Sequence, residues 1–155
     1  MSDSMHKVRI AMIGAGVMAN KVHYPSLAGF DDVELAAICD IDTQRLHTTA
    51  DKYGIEKRFI NYQEMVEAVA PDAVYVIGQP HIMYDIWIWC LEHGLNVYIE
   101  KPMGITLHQA RALAYLAEKN NCITQVSFQR RITPMIVKLH KLCLQRGPIV
   151  HAVCR

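Results

Sequence analysis

Apolar and polar positions along this chain fall into blocks whose period switches back and forth. Val8, Ile10, Met12 and Ile13 make a short apolar run over 7–13 that reads as a buried strand. Runs of the same kind lie over 33–39, 73–77, 95–99 and 122–128, with a weaker one over 58–60. Between them the pattern is helical, predicting helices over about 17–28, 42–53, 62–69, 81–93, 106–120 and 134–146. In the segment 81–93, Met83, Ile86, Trp87, Cys90 and Leu91 share one face, opposite Asp85 and Glu92. Trp89 falls beside the acidic stripe, so it either packs under a neighbouring loop or faces another subunit.

Strands and helices that alternate at this spacing imply parallel strands joined by right-handed crossovers. The expected fold is therefore α/β, a doubly wound parallel sheet. Local signals agree. Asn61 with Glu64 and Thr106 with Gln109 have capping-box spacing. Gly54 and Gly94 follow helical segments as stops, and Pro71 separates a helix from the strand 73–77. Pro25 should end or kink the first helix near Tyr24. Past the last helix, Gly147-Pro148 is followed by an apolar stretch, Ile149 to Cys154, that reads as a fresh strand. Residues 1–126 are thus expected to form one domain. Residues 127–155 are expected to form a linker helix and the truncated start of a second, α+β domain. A lone strand there should add to a strand of another copy, become disordered or pack back onto the domain.

Composition adds exclusions. The hydrophobic fraction of 52% suits a sheet covered on both faces. A net charge of +1 gives no broad basic surface for nucleic acid. No apolar stretch reaches membrane-span length, and Met1 to His6 carries no signal-peptide core, so a cytoplasmic protein without membrane partners is expected. The five cysteines form no C-x-x-C and read as reduced core thiols. The eight histidines show no ligand spacing, so no metal site is expected.

The candidate chemistry lies where strands end. Ile13-Gly14-Ala15-Gly16-Val17-Met18-Ala19 closes the first strand and opens a helix, in the G-x-G-x-x-A form of the dinucleotide fingerprint. Gly14 allows the tight turn, Gly16 lets a diphosphate approach the backbone, and Ala19 lets the helix pack closely. Phosphates would sit at the helix start, against the amides around Val17 and Met18. The second strand ends in Asp40, placed to accept from ribose hydroxyls. The fourth ends in Gly78-Gln79-Pro80-His81, the fifth in Glu100-Lys101-Pro102, and the sixth in Gln129-Arg130-Arg131. A lysine at a strand end can stabilise charge on an alcohol or carbonyl oxygen, and partial burial would let it join proton transfer.

The chain resembles the N-terminal part of the glucose–fructose oxidoreductase / inositol dehydrogenase (Gfo/Idh/MocA) family. The residues that carry the likeness are Gly14-x-Gly16-x-x-Ala19, Cys39-Asp40-Ile41-Asp42, the run from Gly94 to Glu100-Lys101-Pro102, Thr106, and Ser127 to Pro134. Glu100-Lys101-Pro102 is the specific element. The resemblance implies a Rossmann fold and an NAD(P)-dependent oxidoreductase acting on a sugar, cyclitol or related secondary alcohol. It implies Lys101 as a catalytic residue touching the nicotinamide ribose and substrate oxygen, Glu100 near that ribose, and Arg130 or Arg131 on the cleft rim. Gly78, Gln79, Pro80 and His81 would add cofactor contacts. Asp40 would favour NAD, and Arg45 would soften that bias towards NADP. A family histidine expected just past Pro80 is replaced by Met83, with His81 nearby. A homo-oligomer is expected. The other reading is a non-catalytic nucleotide-binding sensor or interaction module, against which Lys101 argues.

Overall fold

The structure is a computed structural model that describes residues 6–153. Six strands, β1 (Val8–Ile13), β2 (Val33–Cys39), β3 (Arg58–Phe59), β4 (Ala73–Val76), β5 (Asn96–Ile99) and β6 (Thr124–Val126), form one sheet in the order β3-β2-β1-β4-β5-β6. Every pairing is parallel. The chain winds one way from β1 to β3 and the other way from β4 to β6. The strand order therefore reverses between β1 and β4, where a crevice opens beyond their carboxyl ends.

The alternation of strand side chains sets up two cores. Val74 and Val76 of β4, with Val97 and Ile99 of β5, face a cluster that includes Trp87, Cys90, Leu91 and Leu113. Met12 and Ile38 face the other, with Tyr24, Leu46 and Ile55. The first is covered by α3 (Tyr62–Val69), α4 (Pro80–Glu92) and α5 (Leu107–Lys119); the second by the helical segment after β1 and by α2 (Thr43–Tyr53). Trp87 and Cys90 are fully buried on the predicted inner face of α4. Removing a side chain such as Trp87 from water contributes about 2–3 kcal/mol. Its indole Nε1 has no partner, which offsets part of that gain. Trp89 packs edge-on to Tyr62 at 5.2 Å and stacks on His93 at 4.0 Å, so its edge is used within the chain.

Caps follow the sequence with one shortfall. Thr106 and Gln109 complete a full capping box. Asn61 accepts from the amides of Gln63 and Glu64, but no return bond comes from Glu64, so only half of that box is made. Asp42 caps α2, and Gly54 ends it with φ +66°.

Three expectations change. The first helix does not stop at Tyr24. Residues 17–27 remain helical, with a π-helical stretch Ala19–His23 running into α1 (Tyr24–Leu27). The Tyr24 amide donates to Ala19, five residues back. The wider turn absorbs Pro25, which has no amide to continue the α ladder. The sixth strand is only three residues long; a 3₁₀ turn (Gln129–Ile132) and α6 (Pro134–Leu144) follow it. Residues 149–153 form no strand, and Cys154 lies outside the described residues. A strand needs a ladder partner for its backbone groups, and residues 149–153 have none. α6 buries no residue and leaves Met135, Ile136, Leu139 and Leu142 exposed.

Candidate functional site

β1 ends at the glycine loop, and the loop is built by close backbone approach. Gly14 has φ +104°, and a Cβ there would lie 2.1 Å from the carbonyl oxygen of Ile77 at the end of β4. Only glycine fits, both for backbone angle and for space. At Gly16 a Cβ would meet nothing within 4 Å, because that position faces open groove. The first bond of the helix runs from the Asn20 amide to the Gly16 carbonyl, so the amides before it have no helical acceptor. Ala19 is fully buried, as close packing of helix on sheet requires.

The loop is pinned from two sides. Asp40, at the end of β2, accepts from the Ala15 amide with Oδ2 (2.7 Å) and from the Asp42 amide with Oδ1 (2.8 Å). Its side chain is 9% exposed, and the Arg45 guanidinium stands 3.7 Å from Oδ1. Asp40 thus holds the loop as well as facing the groove. Each carboxylate oxygen keeps a second lone pair for a ligand. From the other side, Asn20 Nδ2 donates to the Ala15 carbonyl (2.8 Å) and to Thr49 Oγ1 (2.9 Å). The Tyr24 hydroxyl donates to the Gly14 carbonyl at 3.2 Å. Burial, reinforced by the Asp40 charge, pushes the Tyr24 hydroxyl up; the same causes push the Cys39 thiol up to about 11. Both groups stay neutral and serve as structure. Arg45 reaches Asp42 at 3.0 Å, and its amide bond to that carboxylate holds the Asp42 acid below its usual range.

A groove of about 510 Å³ runs along the carboxyl edge of the sheet. Gly14, Gly16, Val17, Met18 and Ala19 line it at one end, Asp40 and Arg45 at the side, and Gly78, Gln79 and Pro80 across the β4 edge. Glu100 and Lys101 line its other end. The volume matches that of small-ligand sites. The residues fit a dinucleotide: a glycine position whose missing Cβ leaves room, free amides for phosphate, a carboxylate for a ribose and a lysine at the far end.

Of the residues singled out from sequence, His81 and Arg130 do not line the groove. His81 is exposed in the first turn of α4, and Arg130 lies exposed in the 3₁₀ turn. Lys101 is exposed, so the partial burial on which its proton-transfer role depended is not met in this chain. Met83 does take the place near the groove, packing over Gly78 so closely that a Cβ there would lie 2.4 Å from Cε. Ile41, Ile77 and Ile82 are apolar lining that sequence reasoning passed over. It also passed over His23, whose Nε2 lies 2.7 Å from Glu100 Oε1 with both side chains buried. A polar residue on an otherwise buried helix face was the available signal. Among the described residues no group of three or more His, Cys, Asp or Glu gathers, and no helix is long and apolar enough to cross a membrane.

Residues 8–128 match the family model described as oxidoreductase family, NAD-binding Rossmann fold. The chain is 36% identical over 124 residues to D-glucoside 3-dehydrogenase of Escherichia coli, covering 80% of this chain and 35% of that protein. It is 30% identical over 142 residues to myo-inositol 2-dehydrogenase of Thermotoga maritima, covering 92% of this chain and 42% of that one. Among solved structures, WlbA dehydrogenase of Chromobacterium violaceum, crystallised with NADH and UDP-GlcNAcA, superposes with a TM-score of 0.83 at 26% identity, over 94% of this chain and 41% of that one. The chain therefore spans 35% to 42% of the length of these relatives.

Proposed function

The chain belongs to the Gfo/Idh/MocA oxidoreductase family as its NAD-binding Rossmann domain, and on that premise we propose that it is the cofactor-holding part of a dehydrogenase acting on a secondary alcohol or carbonyl of a sugar or cyclitol. The observation that carries this reading is a single groove with the glycine loop at one end and Lys101 at the other. The relatives named dehydrogenases of a glucoside and an inositol support the substrate class.

When bound, the nicotinamide supplies the hydride acceptor or donor. This chain's residues hold and orient. The free amides at the helix start and the open space over Gly16 take the diphosphate. Asp40 accepts from the adenosine ribose hydroxyls and disfavours a 2′-phosphate. Arg45, beside it, weakens that bias. Lys101 donates to the nicotinamide ribose and to the substrate oxygen, stabilising charge that develops there. Residues 1–126 form the dinucleotide unit, and 127–155 lead into a substrate-binding part that supplies the acid/base. A non-catalytic module has no evident need of an exposed lysine at this end of the groove.

Fluorescence titration of this chain with NADH and NADPH tests the proposal. NADH should bind, more tightly than NADPH, and Lys101→Ala should weaken NADH about tenfold. With Lys101 open to water, a panel of polyols should give no robust NAD reduction by this chain alone. Failure of both nucleotides to bind at millimolar concentration would end the reading.

A further inference from the structure

Among the described residues, one carboxylate–imidazole pair is buried on both sides, and it joins the two ends of the groove. His23 closes the π-helical stretch that follows the glycine loop. Glu100 follows β5 and precedes Lys101. His23 Nε2 lies 2.7 Å from Glu100 Oε1, with the side chains 6% and 9% exposed. A carboxylate only accepts, so Nε2 is the donor. The second oxygen, Oε2, accepts from the Lys101 amide at 3.2 Å. Both Glu100 oxygens are thus committed inside the protein, one to the loop helix and one to the backbone of the lysine.

The imidazole is held in turn. It lies edge-on to Tyr98 at 5.4 Å and to Tyr75 at 6.2 Å, and these two rings stack on each other at 4.4 Å. The π turn takes in one residue more than an α turn and so changes which side chain meets the sheet behind it. Burying a polar pair in this place is a poor way to gain stability, since an apolar side chain would avoid its desolvation. What the pair does provide is a fixed position for Glu100, and through its Oε2 a fixed backbone at Lys101.

We infer that His23 is a positioning residue: through Glu100 it sets the place of Lys101 and ties the nicotinamide end of the groove to the helix that holds the phosphates. The inference rests on the dinucleotide reading above and adds to it a residue with no contact of its own to the groove.

The test compares two ligands on the same variants. NADH spans the whole groove, whereas ADP fills only the adenosine and phosphate end. His23→Phe keeps a ring between the tyrosines but has no donor. His23→Gln restores an N–H near the Nε2 position. Wild type, His23→Phe and His23→Gln are titrated with NADH and with ADP, and their thermal midpoints are recorded without ligand. His23→Phe should weaken NADH about tenfold while ADP changes less than about twofold, and His23→Gln should recover most of the NADH affinity. An equal loss for both ligands, an unchanged NADH affinity, or a glutamine variant as weak as phenylalanine would overturn the inference, whatever the midpoints do. If His23→Phe does not fold, His23→Asn is read in its place, because its amide keeps the site polar but is too short to reach Glu100 Oε1 as the imidazole does. A selective loss of NADH affinity again supports the inference and an equal loss again overturns it. A wild-type chain that binds neither ligand overturns the dinucleotide reading itself, and this inference with it; wild-type binding with no selective effect overturns the inference alone.

Discussion

Gly14 and Gly16 sit two residues apart and need to be glycine for opposite reasons. At Gly14 the backbone itself forbids a side chain: φ is +104° and the Ile77 carbonyl occupies the Cβ position. Gly14→Ala should lower stability by about 2 kcal/mol or more, read by chemical denaturation. At Gly16 the protein has no objection to a methyl group. Gly16→Ala should leave stability within about 0.5 kcal/mol yet weaken NADH about tenfold, because the methyl enters the space kept for the diphosphate. Asp40→Asn tests a residue with two jobs. An amide must turn its NH₂ towards the amide of Ala15 or of Asp42, costing about 1–3 kcal/mol of stability. The loss of charge should also narrow the preference for NADH over NADPH. The glycines and Asp40 were legible in sequence because their spacing in one chain segment is diagnostic. His23 was not, because Glu100, the partner that gives it meaning, lies 77 residues away. Asn20 was hidden in the same way, its bond to Thr49 spanning 29 residues.

Among the elements, those whose signal is local were readable almost to the residue. β2, α3 and the start of α6 fall where the apolar period and caps predicted. Thr106 and Gln109 form their box because both partners lie within one helical turn. Thr106→Ala should cost about 1 kcal/mol in a urea melt, with no effect on NADH affinity. Elements set by tertiary context were harder. Pro25 reads as a stop or a kink, and the fold keeps the helix going by a wider turn, with His23 against Glu100. The stretch 149–153 has strand-like residues but no ladder to join, and so it is not a strand. Apolar alternation shows that a segment is able to pair, while pairing itself depends on a neighbour that sequence periodicity does not reveal.

For the whole molecule, two buried thiols of one core, Cys39 and Cys90, tie stability to high pH. Burial pushes the Cys90 thiol up to about 12 and Cys39 up to about 11, against an ordinary value of 9.0. Above pH 9 the unfolded thiols lose protons that the folded ones keep, so stability should fall as pH rises. The decline should run from about pH 9 to the folded values, with a slope of up to about 1.4 kcal/mol per pH unit for each thiol. Cys90→Ala should melt lower at neutral pH, for want of packing, yet show a shallower alkaline decline in urea midpoint. The doubly wound parallel sheet was legible from alternation, whereas its order, reversing between β1 and β4, is a finding of the structure and puts the strand ends at one edge. On the proposed reading, a dinucleotide lies along that edge. A crystal of this chain grown with saturating NADH should show the diphosphate within hydrogen-bond distance of the amides that follow Gly16 and the nicotinamide ribose within reach of Lys101 Nζ. A groove left empty under those conditions, or a nucleotide bound elsewhere on the chain, would contradict that reading.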